Sequence, residues 1–185
     1  MLNQNKNMET AIFGGGCFWC TEALFKSLRG VVSVTSGYAG GSKEDASYDR
    51  VSGGKTGHAE VVKIEFDPAK ISFGDLLSVF FNTHDPTTLN KQGADVGTQY
   101  RSVIFYANDN QKEEAEKLIK ELNDSKAYEK LVVTSLEKFS EFFEAEDYHK
   151  NYYESHPEAA YCEVVIAPKL EKLNRKFAAL ISTSP

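Results

Sequence analysis

Thr10-Ala-Ile-Phe-Gly-Gly-Gly-Cys-Phe-Trp-Cys20 decides the reading of the fold. A short apolar run is ended by three consecutive glycines. From Cys17 onward, Cys17, Cys20, Leu24 and Leu28 recur three or four residues apart, with Gly30 closing the pattern. The stretch predicts a buried strand, a tight glycine turn and a helix, with Cys17 at the junction. A cysteine placed there meets the free N–H groups and the positive end of the helix dipole, both of which favour its thiolate. Taken alone, a cysteine at a helix start is as readily a small core residue as a nucleophile. Phe18 and Trp19, the chain's one tryptophan, shift that balance, because a packing face has no need of two adjacent large aromatics. They are expected to wall an apolar pocket beside the sulfur.

Working outward, Val31-Val-Ser-Val34 reads as a strand. Gly37-Tyr-Ala-Gly-Gly41 and the polar residues up to Lys55 read as a long loop, a feature that often carries function. Residues 58–66 alternate, with His58, Glu60, Val62, Ile64 and Phe66 on one face. Ser72 with Asp75 caps a helix whose stripe is Phe73, Leu76, Leu77, Phe80 and Phe81, ending before Pro86. A polar loop over residues 87–98 leads to a strand over 102–106, and Ala115, Leu118, Ile119 and Leu122 mark another helix. Leu131-Val-Val-Thr134 reads as a short strand, residues 139–156 as aromatic-rich and partly helical, and residues 162–166 as a strand or extended tail. Pro168, Leu170, Leu173, Phe177 and Leu180 give a closing helix. Alternating strands and helices without repeats predict one α/β (α+β) domain over residues 1–185, a two-layer sandwich with residues 1–9 as a loose lead-in and a long C-terminal segment.

The chain has 185 residues, 41% of them hydrophobic, enough for one well-buried core. Its net charge of -6, from 27 acidic against 21 basic residues, disfavours nucleic acid and anionic membrane surfaces as partners. No apolar run is long enough to span a bilayer, and residues 1–10 lack the basic start and apolar stretch of a signal peptide, so a cytoplasmic monomer is expected. Three cysteines do not make a disulfide scaffold and are candidates for redox chemistry. Cys17 and Cys20 form a Cys-x-x-Cys pair, but Cys20 also continues the Leu24 and Leu28 face, so a packing role and a redox role stay open. A zinc site would need a second such pair, which is missing. Glu60 stands on an apolar strand face. Desolvation there would raise its pKa toward that of a general acid, unless the strand end lets it reach water.

Several segments together resemble the A-type peptide methionine sulfoxide reductases. They are Gly15-Gly-Cys-Phe-Trp19 with Glu22, Gly37-Tyr-Ala-Gly-Gly41, Ser47-Tyr48, Thr56-Gly-His-Ala-Glu60, His84-Asp-Pro86, Gln92-Gly-Ala-Asp95 and Gly97-Thr-Gln-Tyr-Arg-Ser102, running in order from about Ile12 to beyond Cys162. The resemblance implies a ferredoxin-like fold and reduction of methionine-S-sulfoxide in proteins, and of the free amino acid, as repair after oxidation. It makes Cys17 the nucleophile and Glu60 the acid at the sulfoxide oxygen. Tyr48 and Tyr100 become hydroxyl donors, Asp95 a carboxylate that helps hold water or substrate, and Phe18 with Trp19 the receptor for the substrate's methyl group. Tyr161-Cys162 resembles the family's resolving Tyr-Cys, so Cys162 is the expected resolving thiol, with Cys20 as alternative or relay because it stands where many members have glycine. Thioredoxin, or dithiothreitol in its place, is the implied reductant, with no metal or bound organic cofactor.

Two other classes compete. A cysteine hydrolase would pair Cys17 with a histidine such as His58, and a binding module for methionine-rich peptides would use the aromatic pocket without chemistry. His58, His84, His149 and His156 are read as structural or supporting, and the acidic, aromatic run over residues 141–147 as an amphipathic face.

Overall fold

β1 (Glu9–Gly15) is a central strand, as its run Ala11-Ile-Phe13 requires if both faces are to be covered. It pairs antiparallel with β3 (Ala59–Phe66) on one side and with β6 (Ser102–Tyr106) on the other. β2 (Val31–Ala39) lies antiparallel to β3, giving the order β6-β1-β3-β2. These relations come from a computed structural model that describes residues 8–182. α1 (Phe18–Lys26) connects β1 to β2, and α3 (Phe73–Thr83) connects β3 to β6. The result is the βαββαβ core of a ferredoxin-like sandwich. β7 (Ser135–Lys138) extends the sheet parallel to β6, and β8 (Phe143–Glu144) extends it antiparallel to β2.

The helical face of the sheet carries the larger core. Phe13 meets Phe80 at 4.9 Å, Phe25 at 5.6 Å and Phe73 at 5.9 Å between ring centroids. Val62, Ile64 and Phe66 of β3 join them, and each such fully buried side chain contributes about 1.5–3 kcal/mol. The opposite face buries Ile12, Ala39, Ala59, Val61, Val103 and Phe105 beneath Phe139 and Phe142. The capping box at α3 is formed as expected, with Ser72 Oγ accepting from Asp75 N–H at 3.0 Å. α4 (Asp109–Asp124) covers the expected amphipathic stripe.

Five sequence expectations are corrected. Gly37-Tyr-Ala39 belongs to β2 and not to a loop. Gly37 lets β8 approach so closely that an added Cβ would stand 2.3 Å from the Phe143 carbonyl oxygen, and Tyr38 is fully buried. Residues 131–134 precede β7 instead of forming it, because the strand that pairs with β6 begins at Ser135. Residues 162–166 are a π-helical turn, not a strand, running directly into α6 (Ala167–Lys176). Their β-branched residues suggested extension, but Cys162, Ile166, Leu170 and Leu173 are spaced to bury one helical face. Pro168, lacking an N–H, accounts for the widened turn ahead of it. The closing helix ends at Lys176, before Phe177 and Leu180. Of the expected lead-in, residues 1–7 lie outside the described residues, and Glu9 is already in β1.

Candidate active site

The glycine turn sets Cys17 at the mouth of α1. Gly16 adopts φ +97°, a conformation that side chains disfavour, and Cys17 follows as the N-cap, extended at φ -59° and ψ 127°. Its carbonyl accepts from Cys20 N–H at 3.2 Å, and its side chain is half-buried. Phe18 N–H, the first free amide of the helix, donates to Glu60 Oε2 at 3.1 Å. The carboxyl and the sulfur therefore share one helix N-terminus. That sharing alters the expected chemistry of the thiol. Burial and the neighbouring Glu60 and Cys20 push the Cys17 thiol well above its ordinary value, outweighing the Trp19 N–H and the Tyr161 hydroxyl that favour the thiolate. The helix end alone had suggested a lowered value; the amide expected to serve sulfur serves Glu60 instead.

Glu60 occupies the apolar face of β3, opposite Tyr38, and is 2% exposed. Burial pushes its carboxyl up to about 8, with Asp95 adding to the rise, against the Phe18 N–H. It is a neutral acid at pH 7. Tyr48, at the start of α2 (Tyr48–Val51), and Tyr100, in a 3-10 turn ahead of β6, are both half-buried around it. Burial first, then the charges of Glu60 and Cys17, raise both phenols, so both remain protonated donors. Three contacts hold this rim. Thr98 Oγ1 donates to the Gly54 carbonyl at 2.9 Å, Gln99 Nε2 donates to the Ser52 carbonyl at 3.0 Å, and Glu146 Oε1 accepts Tyr48 N–H at 2.9 Å. Asp95 sits in β5 (Asp95–Val96), paired with β4 (Lys91–Gln92). The Gln92 side chain ties that hairpin to the Asp85 backbone, its Oε1 accepting Asp85 N–H and its Nε2 donating to the Asp85 carbonyl, both at 3.0 Å.

The C-terminal segment folds over this end of the molecule. Tyr152, in α5 (Tyr152–Ser155), stacks on Trp19 at 3.6 Å and 4°. Tyr161 meets the indole edge-on at 5.8 Å, and its hydroxyl donates to Asp95 Oδ2 at 3.0 Å. Glu22, 3% exposed, accepts Asn151 N–H at 3.2 Å, which anchors the segment to α1. Phe18 is 1% exposed and packs in the core against Tyr38 and His149, so Trp19 is the half-exposed member of the expected pocket. Cys162, the expected resolving thiol, is fully buried. It shares a cluster with Cys20, Ile166 and Trp19, and Cys20 Sγ lies 3.7 Å from the Tyr161 hydroxyl. Cys17, Cys20 and Cys162 thus gather at one end of α1.

The histidines have structural partners. His58 Nδ1 accepts Gly41 N–H at 3.2 Å and its Nε2 contacts the Ser42 carbonyl at 2.8 Å, leaving neither nitrogen to act as base for Cys17. His84 bridges the Phe80 carbonyl and Ser102 Oγ, and burial holds it neutral with its pKa lowered to about 4. The support given by Glu22, Tyr152 and Tyr161 was not apparent from the sequence, where residues 139–156 read only as aromatic-rich and partly helical. Among the described residues no cluster of three His, Cys, Asp or Glu side chains is placed to hold a metal ion, and no helix is long and apolar enough to cross a membrane.

Residues 9–180 match the family model described as peptide methionine sulfoxide reductase. The chain is 54% identical to the peptide methionine sulfoxide reductase MsrA of Polynucleobacter asymbioticus over 95% of its own length and 92% of that protein. Its structure is similar to the reduced form of Mxr1 from Saccharomyces cerevisiae, with TM-score 0.79 and 34% identity over 88% of this chain and 92% of the other. It is also similar to the methionine sulfoxide reductase A of Corynebacterium diphtheriae, with TM-score 0.72 and 32% identity over 85% of this chain and 79% of the other.

Proposed function

The chain belongs to the peptide methionine sulfoxide reductase family and is an oxidoreductase that reduces methionine sulfoxide, and from that premise we propose how its residues carry out the reaction. Cys17 is the nucleophile, Glu60 the acid, and Tyr48 and Tyr100 the donors to the sulfoxide oxygen. Trp19 over Phe18 receives the methyl group, and Asp95 helps position substrate or water. The observation that carries this reading is the placement of Cys17 and a neutral Glu60 at one helix N-terminus, joined through Phe18 N–H.

In the first step the Cys17 sulfur attacks the sulfoxide sulfur while Glu60 gives its proton to the oxygen. The S–O bond breaks, the oxygen passes to Cys17 as a sulfenic acid, and methionine leaves. The proton lost by the thiol restores Glu60, so one thiol and one sulfoxide become one sulfenic acid and one thioether. Because the thiol of the free protein is held protonated and an ionised Glu60 would hold it more firmly, the thiol proton passes to Glu60 as Glu60 gives its own to the oxygen, and the site never holds two negative charges.

A second thiol then condenses with the sulfenic acid and releases water. Cys17 is an N-cap and not an interior helical residue, so a bridge to Cys20 needs no broken turn. Cys162 is packed in the same cluster as Cys20. These placements favour a relay in which Cys17 bridges first to Cys20. Cys162 then attacks Cys20 and frees Cys17, and thioredoxin reduces the Cys20–Cys162 disulfide by dithiol exchange. No metal or organic cofactor enters any step, the favoured epimer is S at sulfur, and the role is repair of oxidised proteins. The test is dithiothreitol-driven turnover of each epimer by wild type and Cys17→Ser. Methionine from the S epimer with wild type alone supports the reading. Equal rates on both epimers, or turnover by Cys17→Ser, would refute it.

A further inference from the structure

Lys169 is a cation on a buried helical face. Cys162, Ile166, Lys169 and Leu173 follow one another four, three and four residues apart, and the other three are fully buried while Lys169 is half-buried. This face packs on α1, where Cys162 and Ile166 share their cluster with Cys20, Trp19 and Leu170. Lys169 also lines a small cavity against Cys20, together with Thr21 of α1 and with Thr83 and His84 at the end of α3. Its ammonium is within hydrogen-bond reach of the Cys20 sulfur. On its other side it borders an open groove that it shares with Asp85, Tyr128 and Lys130. The ammonium is therefore hydrated from the groove while it meets a thiol that is only 2% exposed. Among the described residues no carboxylate forms an ion pair with it.

We propose that Lys169 is a catalytic residue of the second half of the reaction, its ammonium stabilising the Cys20 thiolate both when Cys20 attacks the Cys17 sulfenic acid and when Cys20 later leaves its disulfide with Cys162. The inference rests on the relay reading, in which Cys20 is the first thiol to meet Cys17. In the attack the Cys20 sulfur forms the S–S bond as the Cys17 S–O bond breaks. The oxygen leaves as water, carrying the proton that Cys20 gave up, and the sulfenic sulfur is reduced as the Cys20 sulfur is oxidised. In the last exchange a thioredoxin thiolate attacks Cys162, and the electron pair of the broken S–S bond stays on Cys20. Negative charge sits on Cys20 before the first of these events and after the second, so one cation serves both. The charges bearing on Cys17 are those of Glu60 and Cys20, both negative. The two thiols of the Cys-x-x-Cys pair thus have opposite surroundings, an acid beside the one that meets substrate and a base-derived cation beside the one that resolves it.

The groups around the Cys20 sulfur set the direction of the effect. Burial pushes its thiol above the ordinary 9.0, and the Asp95 carboxylate of β5 adds to the rise. Against them stand the Lys169 ammonium from α6 and the Tyr161 hydroxyl, 3.7 Å from the sulfur. His84, across the cavity, is neutral at any pH well above about 4, and Cys162 is a thiol that burial also holds protonated. Lys169 is the cation among these groups. Removing an opposite charge in contact with a thiolate raises its pKa by roughly 1–2 units. Each unit cuts the thiolate present at pH 7 about tenfold but makes it more nucleophilic by a Brønsted slope of about 0.4–0.5, so attack slows roughly threefold per unit.

The test times the two halves of the reaction separately. Full-length protein is mixed rapidly with one equivalent of methionine-S-sulfoxide, quenched in acid and mapped by mass spectrometry for the Cys17 sulfenic acid and the Cys17–Cys20 bridge. Lys169→Met, which keeps the length of the side chain without its charge, should slow conversion of the sulfenic acid to the bridge by roughly 3–10-fold at pH 7. It should also move the pH at which that step levels off upward by about 1–2 units. Lys169→Arg, which keeps the charge, should recover most of the rate and the wild-type pH profile. Bridge formation by Lys169→Met at the wild-type rate overturns the proposal. A slowed rate whose pH profile does not move reports lost packing and overturns it equally. Cys20→Ser tests the premise: a Cys17–Cys162 bridge formed in that variant at the wild-type bridging rate shows that Cys20 is not the first partner, and the relay fails whatever Lys169 does.

Discussion

Replacing Glu60 with Gln should remove activity and add stability, and both effects follow from one buried carboxyl. The side chain is 2% exposed, and its pKa is pushed up to about 8 from an ordinary 4.5. Raising a folded-state pKa means that the native protein binds the proton more tightly than the unfolded chain. The folded state is therefore penalised as the pH climbs from 4.5 toward 8. The penalty grows by about 1.4 kcal/mol per pH unit, which comes to about 3 kcal/mol at pH 7. Gln cannot ionise, and its amide oxygen can still accept from Phe18 N–H. Glu60→Gln should thus approach about 3 kcal/mol more stable than wild type at pH 7 and show no such gain below pH 4.5. Denaturant unfolding of both proteins across this range measures the difference. In single turnover, the same variant should release methionine about 10²–10⁴-fold more slowly, the usual share of a general acid. Wild-type rate should fall as the pH rises through about 8 and Glu60 loses its proton. Parallel stability curves for the two proteins would refute the burial argument. A rate within a few-fold of wild type would pass the acid's role to Tyr48, Tyr100 or solvent.

Cys17 in the free protein should titrate above its ordinary value of 9.0, and Glu60→Gln should lower that value by removing a charge beside the sulfur, as thiolate absorbance against pH would record. Tyr161→Phe, which removes the one hydroxyl proton that Asp95 and the sulfur can share, should shift the same titration upward. Tyr48→Phe or Tyr100→Phe should each reduce kcat by up to about 10²-fold while leaving the unfolding midpoint nearly unchanged, since each loses a hydroxyl aimed at developing charge. If the relay operates, Cys162→Ser should stop after one turnover with a Cys17–Cys20 bridge, and Cys20→Ser should lose thioredoxin-driven turnover. Thiol counting and mass mapping after one equivalent of substrate would separate this from direct pairing with Cys162, in which Cys20→Ser keeps turnover. Phe80→Ala, in the core between Phe13 and Phe81, should cost about 3–5 kcal/mol in denaturant unfolding without changing the thiol chemistry.

The elements legible in the sequence were those with a strong period and an explicit stop. The glycine turn ahead of Cys17, the alternation of β3 and the Ser72 cap with its Phe73 to Phe81 stripe carried the sandwich and placed Glu60 on its apolar face. Where a local pattern suited two partners, tertiary contact decided. Val164-Val-Ile166 has strand composition but buries a helical face against α1, and Gly37-Tyr-Ala39 has turn composition but is covered by β8. The thiol's environment was illegible for a related reason. A helix N-terminus signals a stabilised anion, but the chain pattern does not say which of two nearby groups takes the first amide, and here it is Glu60. The cover over Trp19, made by residues 130 or more positions away in sequence, left only an aromatic and acidic composition as its trace.

The most direct test of the central claim follows the oxygen. Methionine-S-sulfoxide labelled with heavy oxygen, added in one equivalent to a protein carrying both Cys20→Ser and Cys162→Ser, should release one methionine per chain. The label should remain on Cys17 as a sulfenic acid detectable by mass spectrometry, because no second thiol is present to expel it. Methionine released with Cys17 unmodified, or the label found on any other residue, would contradict direct attack of the Cys17 sulfur on the sulfoxide.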